Sequence, residues 1–232
     1  MVCRIETGSD PVTEMHMRQL EVQRLGLIGY DDALMLQREL VEERRADRVP
    51  DLLLLLEHPP VITLGVRSEI ARANVVATDE RLADLGIAVH ETGRGGDVTY
   101  HGPGQIVGYP ILDLRPDRCD VHKYVRDLEE VMIRTCSDYG VTAGRISGLS
   151  GTWVGAEKIG AIGIRISRWI TSHGFAFNVS TNLDHFKLIV PCGISDRGVT
   201  SLERATGRSI PLPEVEDVLV RRFAEVFDRV AN

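Results

Sequence analysis

The sequence predicts a mixed α/β domain of the α+β type, with a largely antiparallel sheet flanked by helices. Strand-like and helix-like segments are interspersed without the strict alternation that builds a doubly wound parallel sheet. The region 151–180 carries the glycine turns and apolar runs of an antiparallel meander. With 232 residues, of which 43% are apolar and 26% charged, the chain is long enough for one substantial core.

Composition excludes several classes of protein. The net charge is −7, and no basic block interleaved with aromatic residues points to nucleic-acid binding. The longest aliphatic run, 52–56, is far shorter than the ~20 residues of a membrane span. Residues 1–18 lack the apolar core of a signal peptide. We therefore expect a cytoplasmic protein that binds neither nucleic acid nor membrane, with a flexible leader over 1–18 and a single domain over 19–232.

The first part of the domain is predicted to contain one helix and two strands. The helix opens at Tyr30, with Asp31 as a possible N-cap, and its apolar face consists of Ala33, Leu36, Leu40 and Val41. The uninterrupted run 52–56 is typical of a fully buried strand, and residues 61–64 begin a second short strand after a Pro-Pro turn.

The second part is predicted to complete the sheet and cover it. Strands are expected over 106–114, 158–167 and 170–179, with a short apolar segment at 188–190. Helices are expected over 121–139 and 213–230. Asp120 is the predicted N-cap of the first helix and Gly140 its stop, while a proline in the first turn suits the second.

The cysteines show no CxxC pair and no disulfide framework, so we expect reduced thiols at Cys3, Cys119, Cys136 and Cys192. Cys192 follows an apolar segment and stands between a proline and a glycine whose amide would be open to an acyl carbonyl. It is a candidate nucleophile, with burial in the core as the alternative. Cys119 is its rival, because a helix start lowers a thiol pKa. Cys136 fits core packing, and Cys3 falls in the leader.

A thiol nucleophile needs an activator, because the thiolate is the reacting form. Lys158 is the one charged residue in the run KIGAIGI. It lies either at a solvated sheet edge or in a pocket. In a pocket, desolvation would lower its pKa and let it exchange protons with a thiol or an amine.

The stretch 93–105 has the highest density of glycines and polar groups. Its glycines permit close backbone approach to a ligand, although a turn-rich hairpin is the alternative interpretation. Neither GxxxxGK[ST] nor GxGxxG occurs there, which disfavours a phosphate loop. His58, His101 and His173 are scattered without metal-ligand spacing, so no metal site is expected.

Six ordered motifs resemble the lipoyl(octanoyl) transferase family. They are LLLLLEHPPVITLG from Leu52, RGGDVTYHGPGQ from Arg94, GTWVG from Gly151, KIGAIGI from Lys158, HGFAFNV from His173, and VPCGI with GVTSLE within 190–203. The resemblance implies the fold of the biotin and lipoate ligase catalytic domain, without metal, ATP or another cofactor. One departure is Val66, which stands where the family usually places a basic residue, so no role is carried onto Arg67.

The resemblance also implies roles for individual residues. Cys192 would carry the octanoyl thioester, and Lys158 would depress the pKa of that thiol and assist proton transfer. Three segments would bind substrate: Arg94, Gly95, Gly96, Asp97, Val98, Thr99, Tyr100 and His101; Ala161, Ile162 and Gly163; and Gly174, Phe175 and Ala176.

The implied donor is octanoyl-acyl carrier protein. The implied acceptors are lipoyl domains of 2-oxoacid dehydrogenases and the glycine cleavage H protein, which makes the reaction the first step of endogenous lipoate biosynthesis. Because the carrier is acidic, Arg165 and Arg168 are candidates for a local basic docking patch. Three alternatives remain open: an ATP-dependent ligase of the same fold, an amidotransferase that takes octanoyl from another lipoyl-type protein, and a non-catalytic binding module.

Overall fold

The structure is a computed structural model that describes residues 18–66, 68–116, 118–190 and 197–232. Within these residues the strands are β1 (Arg18–Leu27), β2 (Asp51–Glu57), β3 (Val61–Leu64), β4 (Ala88–Glu91), β5 (Thr99–His101), β6 (Gln105–Ile111), β7 (Gly144–Ile146), β8 (Leu149–Val154), β9 (Glu157–Ser167), β10 (Ile170–Asn178) and β11 (Arg229–Ala231). The helices are α1 (Tyr30–Arg45), α2 (Ser68–Ala73), α3 (Asp79–Asp84), α4 (Val121–Asp138), α5 (Leu202–Thr206) and α6 (Leu212–Phe227), with a 3₁₀ helix over Leu183–Leu188.

The strands form a large and a small sheet. The large sheet has the order β11-β1-β2-β6-β10-β9-β8-β7, and the small one the order β4-β3-β5. In the large sheet β1 runs parallel to β11 and β2, and every other described pair is antiparallel. The predicted fold class, a mixed and largely antiparallel sheet flanked by helices, is therefore confirmed.

The two faces of the large sheet bury different layers. On one face Leu53 and Leu55 belong to the main core with apolar side chains of α4 and α6. On the other face Leu54 and Leu56 pack with Ala33 of α1. Because β2 is covered on both sides, it reads as a continuous apolar run rather than an alternating one.

Most predicted elements are present, and several boundaries differ. Gly29, rather than Asp31, is the N-cap of α1, and Asp31 lies in the first turn where its charge suits the helix dipole. Residues 188–190 are not a strand, because Leu188 ends the 3₁₀ helix and Ile189 makes a single bridge to Val75. The stretch 93–105 is not a hairpin, because β5 pairs with β3.

The chain ends differ from the prediction as well. The last helix stops at Phe227, because Asp228 adopts a left-handed conformation and the following residues pair with β1 as β11. Asp51 holds the C-terminal strand β11 in place. Its buried carboxylate accepts hydrogen bonds from Arg229 Nε and Arg44 Nε, each at 2.9 Å. At the other end Arg18, placed in the predicted leader, is already part of β1.

None of the helices in the described part of the chain has the length and apolarity that crossing a bilayer requires.

Candidate active site

A narrow cavity lies between the large sheet and the glycine-rich segment that precedes β5. Its floor is formed by β9 and β10, where Gly163 pairs with Gly174 and Ala161 with Ala176. These side chains are no larger than a methyl group, so the floor leaves open space above the sheet. The cavity volume is about 90 Å³, well above the ~10–15 Å³ that one water needs. The cavity can therefore hold a thin ligand of several atoms in a row.

The structure brings most of the predicted binding residues together at this cavity. The residues that line it are Arg94, Gly96, Asp97, Val98, Thr99, His101, Ala161, Ile162, Gly163, Gly174, Phe175 and Ala176. Two predicted residues stand behind the lining. Gly95 donates its N–H to Ile164 O at 2.8 Å, and Tyr100 is buried with its hydroxyl 2.7 Å from His185 Nδ1. The substrate-binding role of all of them remains a prediction.

Arg94 fixes the roof of the cavity above β9. Its buried guanidinium donates hydrogen bonds to Thr63 O at 2.7 Å, to Thr63 Oγ1 at 2.8 Å and to Gly95 O at 3.0 Å. The roof approaches the floor closely, since a Cβ on Gly163 would lie 2.9 Å from Arg94 Cδ. Arg94 therefore sets the height of the cavity through its contacts with Thr63 and Gly95.

Lys158 lies at the other end of the same floor. It is half-buried and lines the cavity, so the solvated-edge alternative does not hold. Its Nζ lies 4.7 Å from the centre of the Trp153 ring, a cation–π contact within β8 and β9. Its backbone N–H donates to Gly198 O at 2.9 Å, and its carbonyl accepts from Thr200 N at 3.0 Å. The chain after residue 196 therefore runs directly beside Lys158.

The described cysteines lie away from this cavity. Cys119, the rival nucleophile, is exposed before α4, and its thiol donates to Leu114 O at 3.6 Å. Cys136 is buried in the main core, where desolvation raises the pKa of its thiol to about 12. Cys192 and Cys3 lie outside the described residues. The last described residue before Cys192 is Val190, which donates its N–H to Asn74 O at 2.7 Å.

A buried network of histidine and tyrosine lies beside the roof and was missed by the sequence interpretation. His58 Nδ1 donates a hydrogen bond to Ile28 O at 2.8 Å, because a carbonyl oxygen can only accept. In the neutral ring Nε2 is then the acceptor, and it accepts from the Tyr109 hydroxyl at 2.8 Å. His101 Nδ1 lies 2.6 Å from Gln105 Oε1 and donates to it. Burial lowers the pKa of His101 to about 3 and also lowers the pKa of His58, so both rings are neutral at physiological pH.

These residues carry no local signal because they are far apart in the chain; His58 and Tyr109 are separated by 51 positions. The cavity lining also includes residues outside the predicted substrate-binding segments: Tyr30, Gln105, Val107, Tyr109, Ser150, Gly160, His173, Asn178, Phe186 and Val199. In the part of the chain that the structure describes, no group of three or more His, Cys, Asp or Glu side chains is placed to hold a metal ion.

Comparison with known proteins identifies the family. The profile described as "Lipoyl protein ligase A/B catalytic domain" matches residues 29–224. The octanoyltransferase of Myxococcus xanthus is 53% identical over 91% of this chain, which spans 60% of that protein's length. The octanoyltransferase of Acidobacterium capsulatum is 53% identical, with 90% of each chain covered.

Solved structures agree on the fold. Lipoate-protein ligase A bound with ATP superposes with a TM-score of 0.73 at 18% identity, covering 92% of this chain and 89% of that one. The bi-partite lipoate protein ligase of Thermoplasma acidophilum gives 0.71 at 18% identity, covering 94% and 86%. From the matched family domain and the relatives at this level of identity, the chain belongs to the octanoyltransferases of the lipoyl protein ligase A/B catalytic-domain family, and it is an acyltransferase.

Proposed function

We propose that the single domain over 19–232 transfers an octanoyl group, in the cytoplasm, from octanoyl-acyl carrier protein to a lysine of a lipoyl domain through a thioester on Cys192. The acceptors would be the lipoyl domains of 2-oxoacid dehydrogenases and the glycine cleavage H protein, and the reaction would begin endogenous lipoate biosynthesis. The observation that carries the proposal is the narrow cavity floored by small residues, which has Lys158 at one end.

The cavity suits an unbranched acyl chain. Glycine and alanine pairs along β9 and β10 leave a slot in the middle of the floor, where these residues present nothing larger than a methyl group to a ligand. At about 0.8 kcal/mol per buried CH₂, six methylenes would contribute about 5 kcal/mol of binding free energy. The three predicted segments, 94–101, 161–163 and 174–176, would hold this chain from above and below.

The position of Cys192 in the chain supports its role as nucleophile. Val190 and Gly198, on either side of its segment, line a neighbouring crevice that shares Phe186 and Val199 with the acyl cavity. Cys192 follows Val190 by two residues in the sequence. The exposed Cys119 and the core Cys136 have no comparable connection to the cavity.

The proposed chemistry consists of two acyl transfers. The Cys192 thiolate attacks the donor thioester, the new C–S bond forms, and the carrier leaves as its thiol. The deprotonated acceptor lysine then attacks the acyl-cysteine, and the amide forms as the thiolate leaves. The ammonium of Lys158 would stabilise the thiolate and lower the thiol pKa, and it would relay the proton between carrier, cysteine and acceptor amine. The second step drives the cycle, because an amide is more stable than a thioester.

Intact-protein mass spectrometry tests the proposal. Octanoyl-acyl carrier protein is mixed with wild type, with Cys192→Ser and with Cys119→Ser as the matched control. We expect a hydroxylamine-labile gain of one octanoyl group on wild type and Cys119→Ser, and none on Cys192→Ser. Octanoylation of a lipoyl domain without any acyl-enzyme would refute the covalent route. Parallel assays with ATP plus octanoate, and with an octanoylated lipoyl-type protein as donor, identify a ligase or an amidotransferase instead.

A further inference from the structure

We propose that His173 closes the far end of the acyl cavity and sets the upper limit of acyl-chain length. The inference rests on the proposed function for the identity of the ligand. The position of the His173 ring as a partition between two cavities follows from the structure. His173 precedes the Gly174–Gly163 pair of the cavity floor and is 6% exposed.

The first observation is that two cavities meet at His173. Beyond the acyl cavity, along the same two strands, lies a second crevice of about 510 Å³, the arginine crevice, lined by residues that include Arg38, Arg165 and Ser172. Among the residues that the structure describes, His173 alone lines both cavities. Leu34, Val41 and Ile170 give the arginine crevice apolar surface as well. Removing the imidazole would therefore join the acyl cavity and the arginine crevice into one longer channel. That channel could accept the methyl end of a longer acyl chain.

The second observation is the length of the floor. From Lys158 to Ile164, the residue that pairs with His173, the strand advances six residues, or ~20 Å at 3.3 Å per residue. With C–C bonds of ~1.5 Å, an extended acyl chain gains ~1.25 Å per bond, so an octanoyl chain is ~9 Å long and an eicosanoyl (C20) chain ~24 Å. The octanoyl chain ends before His173. The eicosanoyl chain would have to pass it.

The third observation is how firmly the ring is held. His173 has a φ of 54°, a left-handed conformation that costs energy in a residue with a Cβ. Its N–H donates to Gln37 Oε1 at 2.7 Å, and its ring meets the Tyr109 ring edge-on, with centroids 6.3 Å apart. Burial and the nearby Arg94 and Arg165 guanidiniums lower the pKa of His173 to about 4. The ring is a neutral wall at physiological pH.

The experiment compares chain-length profiles. The ratio of kcat/KM for eicosanoyl (C20) carrier to that for octanoyl carrier is measured for wild type and four variants. His173→Gly suits the positive φ and removes the ring, and His173→Phe keeps a ring. His173→Trp enlarges it, while Ser167→Ala alters the arginine crevice alone. Since each methylene gained is worth about fourfold, we expect His173→Gly to raise the ratio at least tenfold. His173→Phe and Ser167→Ala should keep the wild-type ratio, and His173→Trp should lower the length limit.

An unchanged profile in His173→Gly and His173→Trp, with circular dichroism showing both folded, would overturn the assignment; if one variant misfolds, the other decides. Binding of free fatty acids from C8 to C20, measured by native mass spectrometry, separates this inference from the proposed function. Wild type that transfers no octanoyl refutes the function. If substitution of His173 changes the longest fatty acid that binds, the result would still support the role of His173 as a partition.

Discussion

Trp153 is expected to position Lys158, and its replacement by leucine should slow acylation. The indole is 3% exposed, and the Lys158 ammonium lies 4.7 Å from its centroid. Arg197 Cζ lies 5.7 Å from the same ring. A cation–π contact is worth ~0.5–1 kcal/mol at an exposed site and ~2 kcal/mol when desolvated. For a half-buried lysine, about 1–2 kcal/mol of positioning energy would be lost, which corresponds to roughly 5- to 30-fold in rate.

Trp153→Phe is the matched variant, because it also loses volume but keeps an aromatic face. Single-turnover acylation is followed by rapid quench and intact-mass detection, and urea unfolding reports how far each variant is destabilised. We expect a roughly 5- to 30-fold slower rate for Trp153→Leu, and a smaller loss for Trp153→Phe at comparable stability. Equal rates in the two variants would show that packing, rather than the aromatic face, places Lys158.

Three further predictions concern stability and reactivity. Asp51→Asn should lower the free energy of unfolding by about 3–5 kcal/mol, because it strands two buried guanidiniums; Asp47→Asn, at a side chain that is 88% exposed, should cost less than ~1 kcal/mol by the same urea assay. Burial lowers the pKa of His101 from 6.5 to about 3. Between pH 3 and pH 6.5 the imidazole is therefore protonated in the unfolded chain but neutral in the folded protein. Stability should therefore fall as the pH drops from 6.5 towards 3, by up to ~1.4 kcal/mol per pH unit, and His101→Gln should flatten that slope in urea titrations; an unchanged slope would contradict the assignment. N-ethylmaleimide at pH 7 should label the exposed Cys119 but not Cys136 in peptide maps, until denaturant opens the core; labelling of Cys136 in the folded protein would show that the core is more accessible.

The basic docking patch stays a prediction, and the structure shows where it would lie. Arg165 and Arg168 are exposed, and Arg168 follows the end of β9. Arg165 is seven residues along the strand from Lys158, or ~23 Å at 3.3 Å per residue. A carrier bound there would have to deliver its thioester across this distance to the Lys158 end of the floor, where the proposed acyl transfer takes place. Charge reversal at both arginines, read as the KM for the carrier, tests this directly.

Local signals were sufficient for the elements whose sequence carries their own boundaries. The helix α4 begins after Asp120, which accepts from Lys123 N, and ends before Gly140, close to the predicted limits. The meander of β8, β9 and β10 was predictable because its strands are apolar runs joined by short turns; Gly155 marks the first turn, while the second consists of Arg168 and Trp169, both with positive φ. The run 52–56 in β2 predicted a strand covered on both faces because all five of its residues are leucine. The family motifs also indicated which segments gather at the cavity.

Only the tertiary structure decided which distant residues meet. Strand β11 forms because Arg229 reaches Asp51, a contact 178 positions apart that no periodicity of the last helix reveals. His58, His101 and His173 looked unrelated, since they lie after β2, in β5 and in β10 and share no common spacing. All three are buried, and they come close together only through the packing of these elements. The sequence determined the chemistry available to the protein, because motifs are local; the packing of two sheets decided the shape and length of the space where it acts.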